Sequence, residues 1–366
     1  MMFITDTHIE RLLGRGVDRI ACEGTARGPR SDAPGMSRRA FAVLAVLVLT
    51  TRPGLGAPSR SGPVLERRVD IPLPGPAVRF DYQSVDTASN RLYISHMNAG
   101  ELLVFNLGTN RVEGTVGDLP RVTGVRAVPS LGKVYASIPG RRQVAIIDAR
   151  TLRVESRVGK IGFPDGIAYA PDAGKIYVSD EAGGGELVID GKTNAVVTTI
   201  PIGGEAGNTV YDPVSGHVLV AVQTRNEVAE IDPHTDRVVG HISLVGADHP
   251  HGMIVDPERN LLFVANEGNA TMLVVDLGAR RIVERLPVGQ DPDVLALDPR
   301  WERLYVAAES GVVSVFAIRH DRVAPEGDVV IPHAHSIAVD PRTHSVYLPL
   351  QSVQGRPVLR IMTAHQ

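Results

Sequence analysis

Pro171-Asp172-Ala173-Gly174-Lys175-Ile176-Tyr177-Val178-Ser179-Asp180 is a turn followed by an alternating apolar strand, and variants of it recur along most of the chain. Asp or Pro at its start suits a type I turn, because Asp can bond the following backbone and Pro pre-sets φ. Similar turns stand at Asp212-Pro213, Asp256-Pro257, Asp298-Pro299 and Asp340-Pro341. The strand that follows has the period-2 pattern of a half-buried β-strand, as in Leu92-Tyr93-Ile94-Ser95 and Leu304-Tyr305-Val306-Ala307. Its central position is held by Tyr93, Tyr135, Tyr177, Leu219, Phe263, Tyr305 and Tyr347, at steps of 42 residues with one step of 44. A further apolar strand ends at Asn106, Asp148, Asp190, Asp232 and Asp276. Three of these open a D-x-x-T sequence, which reads as a side-chain-capped turn into the next strand. A period near 40 with four strand-sized segments per unit predicts an all-β, seven-bladed β-propeller of four-stranded antiparallel blades.

The two ends predict how the ring closes. After Tyr347 only one more strand fits, near Val358 to Met362, so the last unit lacks its fourth. Arg68-Val69-Asp70-Ile71-Pro72-Leu73-Pro74-Gly75 echoes the fourth strands at Thr199-Ile200-Pro201-Ile202-Gly203-Gly204 and Leu286-Pro287-Val288-Gly289. The N-terminal strand is therefore expected to complete the final blade, which removes two sheet edges that would invite aggregation.

With these residues in hand, the chain resembles the YncE-like, YVTN-repeat family of propellers from Val64 to Met362. The family's strand is echoed by Tyr93-Ile94-Ser95-His96, Tyr177-Val178-Ser179-Asp180 and Phe263-Val264-Ala265-Asn266. The resemblance implies a seven-bladed fold and export. It implies no particular activity, since related propellers host unrelated chemistries. Some members of the family carry a DNA-binding label, which the charge of this chain argues against.

Of the 366 residues, the first 57 read as something other than the propeller. Ser37-Arg38-Arg39, an apolar run from Ala40 to Leu49 and Pro53-Gly54-Leu55-Gly56-Ala57 form the three regions of a secretory signal over residues 36–57. The paired arginines fit a twin-arginine or an ordinary signal equally. The run is too short to anchor the chain in a bilayer. Residues 1–35, rich in Arg and Gly, read as a disordered leader extension or as sequence upstream of a start at Met36. The predicted domain is then 58–366, in the periplasm or secreted, and monomeric. Cys22 is the one cysteine, so that domain is expected to have no disulfide, thiol nucleophile or haem attachment. Residues 1–57 hold 8 of the 38 Lys and Arg and 5 of the 41 Asp and Glu, which leaves 30 against 36, a net −6. That acidic balance gives no electrostatic reason to bind nucleic acid. Aromatics at 4% supply few stacking platforms.

Twelve residues before each central position the innermost strand should begin, at Asp81, Thr123, Asp165, Gly207, His251, Asp293 and His335. Two further back stand Arg79, Arg121, Phe163, Glu205, His249, Asp291 and His333. Residues two apart on a strand share a face, so both sets are expected to form stacked layers at the channel mouth. His251, Asp293, His335 and Asp81 come from consecutive blades and are candidate ligands for a divalent metal ion. Mixed imidazole and carboxylate donors suit Zn²⁺, Mn²⁺, Fe²⁺ or Cu²⁺ better than Ca²⁺. His96, Asp165, His249, His333, Arg79, Arg121 and Glu309 are candidate ligand-binding residues around them, with Glu181 and Glu267 in the loops on the same side. A purely structural reading also stands: residues that open propeller strands often bond the neighbouring blade, and polar groups at a solvated mouth carry no desolvation cost.

The chain has no G-x-S-x-G elbow, H-E-x-x-H helix, P-loop or dinucleotide fingerprint. The expectation is a non-enzymatic exported propeller that binds a small molecule, metal or partner protein through its central funnel. The alternative is a metal-dependent hydrolase or lyase in the same funnel, with His249 or His333 as general base.

Overall fold

The computed structural model describes residues 63–320 and 322–365; the leader, the signal segment and Cys22 lie outside them. Seven four-stranded antiparallel sheets follow one another in the chain. Blade 1 runs through strands a to d at Gln83–Asp86, Arg91–His96, Glu101–Asn106 and Arg111–Val116. Strand a of blades 2 to 7 lies at Val125–Val128, Pro164–Ala170, Ala206–Tyr211, Pro250–Asp256, Pro292–Asp298 and Ala338–Asp340. Among the described residues no helix is long and apolar enough to cross a membrane.

The seven central positions from Tyr93 to Tyr347 sit in the middle of strand b and are at most 2% exposed. Each blade thus buries an aromatic or leucine side chain against its neighbour. The anchors also reach across: the Tyr177 hydroxyl donates to Asp236 of the next blade at 2.7 Å. The first residue of strand b does the same, with Lys175 Nζ donating to the Pro233 carbonyl at 2.9 Å and Lys133 Nζ to the Gly191 carbonyl at 2.8 Å.

The aspartates of the repeats are structural. Asp148 Oδ1 accepts from the backbone N–H of Thr151 at 2.6 Å and from its hydroxyl at 2.7 Å; Asp190 repeats this with Thr193. In the a–b turns, Asp212 accepts from Val214 and Ser215 and Asp86 from Ala88 and Ser89.

Closure follows the sequence expectation. Leu65–Pro72 is strand d of blade 7 and pairs antiparallel with Arg356–Ala364, from Leu65 opposite Ala364 to Pro72 opposite Val358. Arg360 locks the seam with two parallel bonds to Asp70, 2.8 Å and 2.7 Å long. At the axis, neighbouring blades approach closely enough to demand glycine. A Cβ on Gly124 would stand 1.9 Å from the Asp165 carbonyl oxygen, and one on Gly252 1.8 Å from that of Asp293.

Candidate metal centre at the channel mouth

Strand a does not enter the ring as a regular extended segment. In blade 5, Pro250 pairs with Asn266 but Met253 with Val264, so His251 and Gly252 form a bulge. Blades 3, 4 and 6 break register at the corresponding place. A bulge kinks the strand and re-aims its side chains, and here it accompanies ring residues whose side chains meet across the axis. Asp81, Asp165, His251, Asp293 and His335 are brought together, each buried.

Two ligand-like groups result. One ligand atom from each of Asp81, Asp293 and His335 lies within 4.8 Å of the others, and the same holds for His251, Glu267 and Asp293. Asp293 belongs to both. His335 Nε2 lies 3.0 Å from the Phe80 carbonyl, which can only accept, so Nε2 carries the proton and Nδ1 keeps its lone pair. Nδ1 faces Glu309 Oε2 at 3.9 Å. His251 Nε2 lies 3.8 Å from both Asp165 and Asp293, while its buried Nδ1 makes no hydrogen bond and lies 3.8 Å from Glu267.

Six carboxyls, from Asp81, Asp165, Glu181, Glu267, Asp293 and Glu309, share this mouth, and their charges act on one another. Arg79 Nη2 answers two of them, at 2.6 Å from Glu309 and 4.0 Å from Asp293. Burial, then the neighbouring Asp165 and Glu309 charges, push Asp81 up to about 7 in spite of Arg79. Burial and Asp165 push Glu181 up to about 8, and burial raises Asp293 well above the ordinary carboxyl range. Burial works against a charged His251, but Glu267, Asp293 and Asp165 outweigh it and lift the imidazole to about 10. Burial and then Arg79 lower His335 to about 4, so its ring is neutral at pH 7. The two imidazoles therefore differ: one is a cation among acids, the other a neutral donor with a fixed tautomer.

The expected second layer does not form as a continuation of strand a. Arg121, His249, Asp291 and His333 have φ of 58°, 52°, 52° and 69°, left-handed turn conformations that break the two-residue alternation. Arg121 lies over the Phe163 ring at 5.4 Å. His249 turns to Asp248, 2.7 Å away, and is half-exposed. Arg79 is the member of that layer whose head group bonds within the cluster. His96 is fully buried, stacked on Phe80 at 4.1 Å and held by Glu101 and the Pro76 carbonyl. Its ring nitrogens are committed away from the cluster. Thr123 donates to the Pro164 carbonyl at 3.0 Å and knits blades 2 and 3.

One residue escaped the sequence reading. The Tyr82 hydroxyl spans the axis from blade 1 to Asp165 of blade 3, at 3.3 Å, and to His251 of blade 5, at 3.2 Å. The signal was present: the position after each ring residue reads Tyr82, Gly124, Gly166, Asn208, Gly252, Val294 and Ser336, a column of small residues with one large aromatic.

The donor set fits a divalent ion with mixed nitrogen and oxygen preference. A cation would satisfy the free Nδ1 of His335 and relieve the repulsion that now keeps protons on the carboxyls. A ligating histidine commonly has its other ring nitrogen held by a backbone carbonyl, as Phe80 holds His335.

No protein-family model matches the chain, and no curated protein matches it. Among solved structures it is similar to Kuenenia stuttgartiensis hydrazine synthase, with TM-score 0.67 and 16% identity over 80% of this chain and 97% of that one. Likeness at that identity supports the seven-bladed propeller fold and carries no activity across.

Proposed function

We propose that the chain is an exported YncE-like propeller whose funnel binds a divalent transition-metal ion on His335, Asp293 and Asp81. The observation that carries this reading is the His335 ring beside Asp81 and Asp293, fixed by Phe80 through Nε2 so that Nδ1 keeps a lone pair, 3.9 Å from Glu309. Arg79 holds Glu309, which faces His335 Nδ1, and the Tyr82 hydroxyl bonds Asp165 and His251 of the same ring. We read the role as binding rather than catalysis: the hydrogen bonds of His249, one of the bases a hydrolase was expected to use, run to Asp248 and Asn226 and not to the ligand cluster.

The test is elemental analysis of protein purified from the exported fraction, with and without His335→Ala plus Asp293→Ala. About one equivalent of metal lost in the double variant supports the site. Metal-free protein whose melting is unmoved by Zn²⁺, Mn²⁺, Fe²⁺ or Cu²⁺ refutes it.

A metal-dependent hydrolase or lyase is the second reading, and one observation favours it. Asp293 serves both ligand groups, the arrangement of two ions sharing a carboxylate. Two equivalents of Zn²⁺ together with hydrolysis of activated esters, both lost in His251→Ala, would move the assignment there.

A further inference from the structure

Arg126 occupies a place where no other blade puts a charge. It lies on strand a of blade 2, nine residues before Tyr135, and the equivalent residues are Ser84, Ala168, Val210, Ile254, Ala296 and Ala338. Its chain neighbours Val125 and Ala127 are buried, while Arg126 itself is reached by solvent. It lines a cavity of about 340 Å³ formed by the innermost strands of blades 2 to 5, with Val210 and Ile254 in the wall and Tyr169 and Tyr211 beside it. Pro257 belongs to an a–b turn, so this cavity belongs to the channel end opposite the metal candidate. Gly124 and Val125 separate Arg126 from Thr123 of the ring, and the Tyr82 hydroxyl spans the axis at the ring.

Among the described residues no carboxylate answers the guanidinium. Enclosure alone lowers its pKa, with no neighbouring charge contributing. By contrast, Arg79, Arg280, Arg342 and Arg360 each pair with a carboxylate. An unpaired cation that solvent still reaches, set among apolar walls, is open to an incoming anion. Arginine presents a planar fork of donors matched to a carboxylate. One guanidinium with no second cation balances one negative charge, which favours a carboxylate over a doubly charged phosphate. The apolar walls suit a hydrophobic body, and the volume lies at the small end of ligand pockets.

We propose that this cavity binds a small monocarboxylate with an apolar or aromatic body, its carboxylate seated on Arg126 and its body between Tyr169, Val210 and Ile254. The site is independent of the metal reading, because the two lie at opposite ends of the channel and share no residue.

Calorimetric titration with benzoate tests this, with benzamide as its uncharged counterpart and phenyl phosphate as the doubly charged one. The expected result is one benzoate per chain, saturable at millimolar concentration. Benzamide and phenyl phosphate should bind at least tenfold more weakly. Arg126→Met keeps the length of the side chain and removes the charge; it should melt no lower than the parent and lose at least tenfold in benzoate affinity. Arg126→Lys should keep part of it, and His335→Ala all of it. No saturable benzoate binding by the parent, equal binding by Arg126→Met, or equal binding of benzamide would overturn the site. Tighter binding of phenyl phosphate would overturn the monocarboxylate class. Loss of benzoate binding in His335→Ala would overturn the separation of the two ends.

Discussion

Replacing Glu186 with Gln should stabilise the propeller, and the gain should grow with pH. Glu186 lies on strand c of blade 3 (Gly185–Asp190), is 0% exposed, and neither carboxyl oxygen has a well-formed hydrogen bond, the nearby Thr209 side chain offsetting only part of its burial. Burial pushes its pKa well above the ordinary glutamate value of 4.5. Below pH 4.5 the carboxyl is protonated in the folded and unfolded chains alike and exerts no pH-dependent effect. Between 4.5 and the raised folded value only the unfolded chain ionises, so stability falls as pH rises, by about 1.4 kcal/mol per pH unit. Gln keeps the shape of the protonated acid and cannot ionise, so Glu186→Gln removes that slope. For a domain of this size the slope corresponds to roughly 2 °C of melting temperature per pH unit. The assay is a series of thermal melts of both proteins from pH 4 upward at one scan rate. A gap between the two that stays constant or narrows with rising pH would refute the reasoning, since it would mean that the carboxyl finds a partner or solvent in the fold.

Three further outcomes follow from the same coordinates. Gly252→Ala places a methyl group against the backbone of Asp293, which cannot swing aside; it should cost on the order of 3 kcal/mol by denaturant midpoint and abolish any metal binding, whereas Gly132→Ala, with open space around it, should leave metal binding intact. Asp70→Asn takes away the charged partner of the half-buried Arg360 at the closing seam; a loss of about 1–3 kcal/mol and faster proteolytic release of the N-terminal strand are expected, and unchanged proteolysis would show that the seam does not depend on this pair. If a divalent ion binds Asp81, it must displace the proton that Asp81 holds up to about pH 7, so apparent Zn²⁺ affinity should be roughly tenfold weaker at pH 6 than at pH 8. Affinity that is flat across that range would remove Asp81 from the ligand set.

The parts of the fold that depend on local chemistry were written in the repeat. Asp-Pro turns, capped D-x-x-T turns and buried anchors recur at a fixed interval, and each is decided within a few residues, so seven copies of one phrase determine seven blades. The missing fourth strand at Met362 and its echo at Arg68 determined how the ring closes, because an unpaired edge is too costly to leave. The same spacing picked out the residues that open strand a, and Asp81, Asp165, His251, Asp293 and His335 do meet at the axis. Which polar residues share that space was decided only in three dimensions. Alternation along a strand assumes an unbroken extended backbone, and the bulge at His251 with the left-handed φ at His249, Asp291 and His333 breaks that assumption just where it was applied. His96 was named from its place after strand b, but packing against Phe80 and a bond to the Pro76 carbonyl claim its ring. Tyr82 reaching across to blades 3 and 5, and Arg126 left without a counterion, are properties of the closed ring. The odd residue in each repeat column is visible in the sequence, but the Tyr82 partners lie 83 and 169 positions away and are set only by the closed ring.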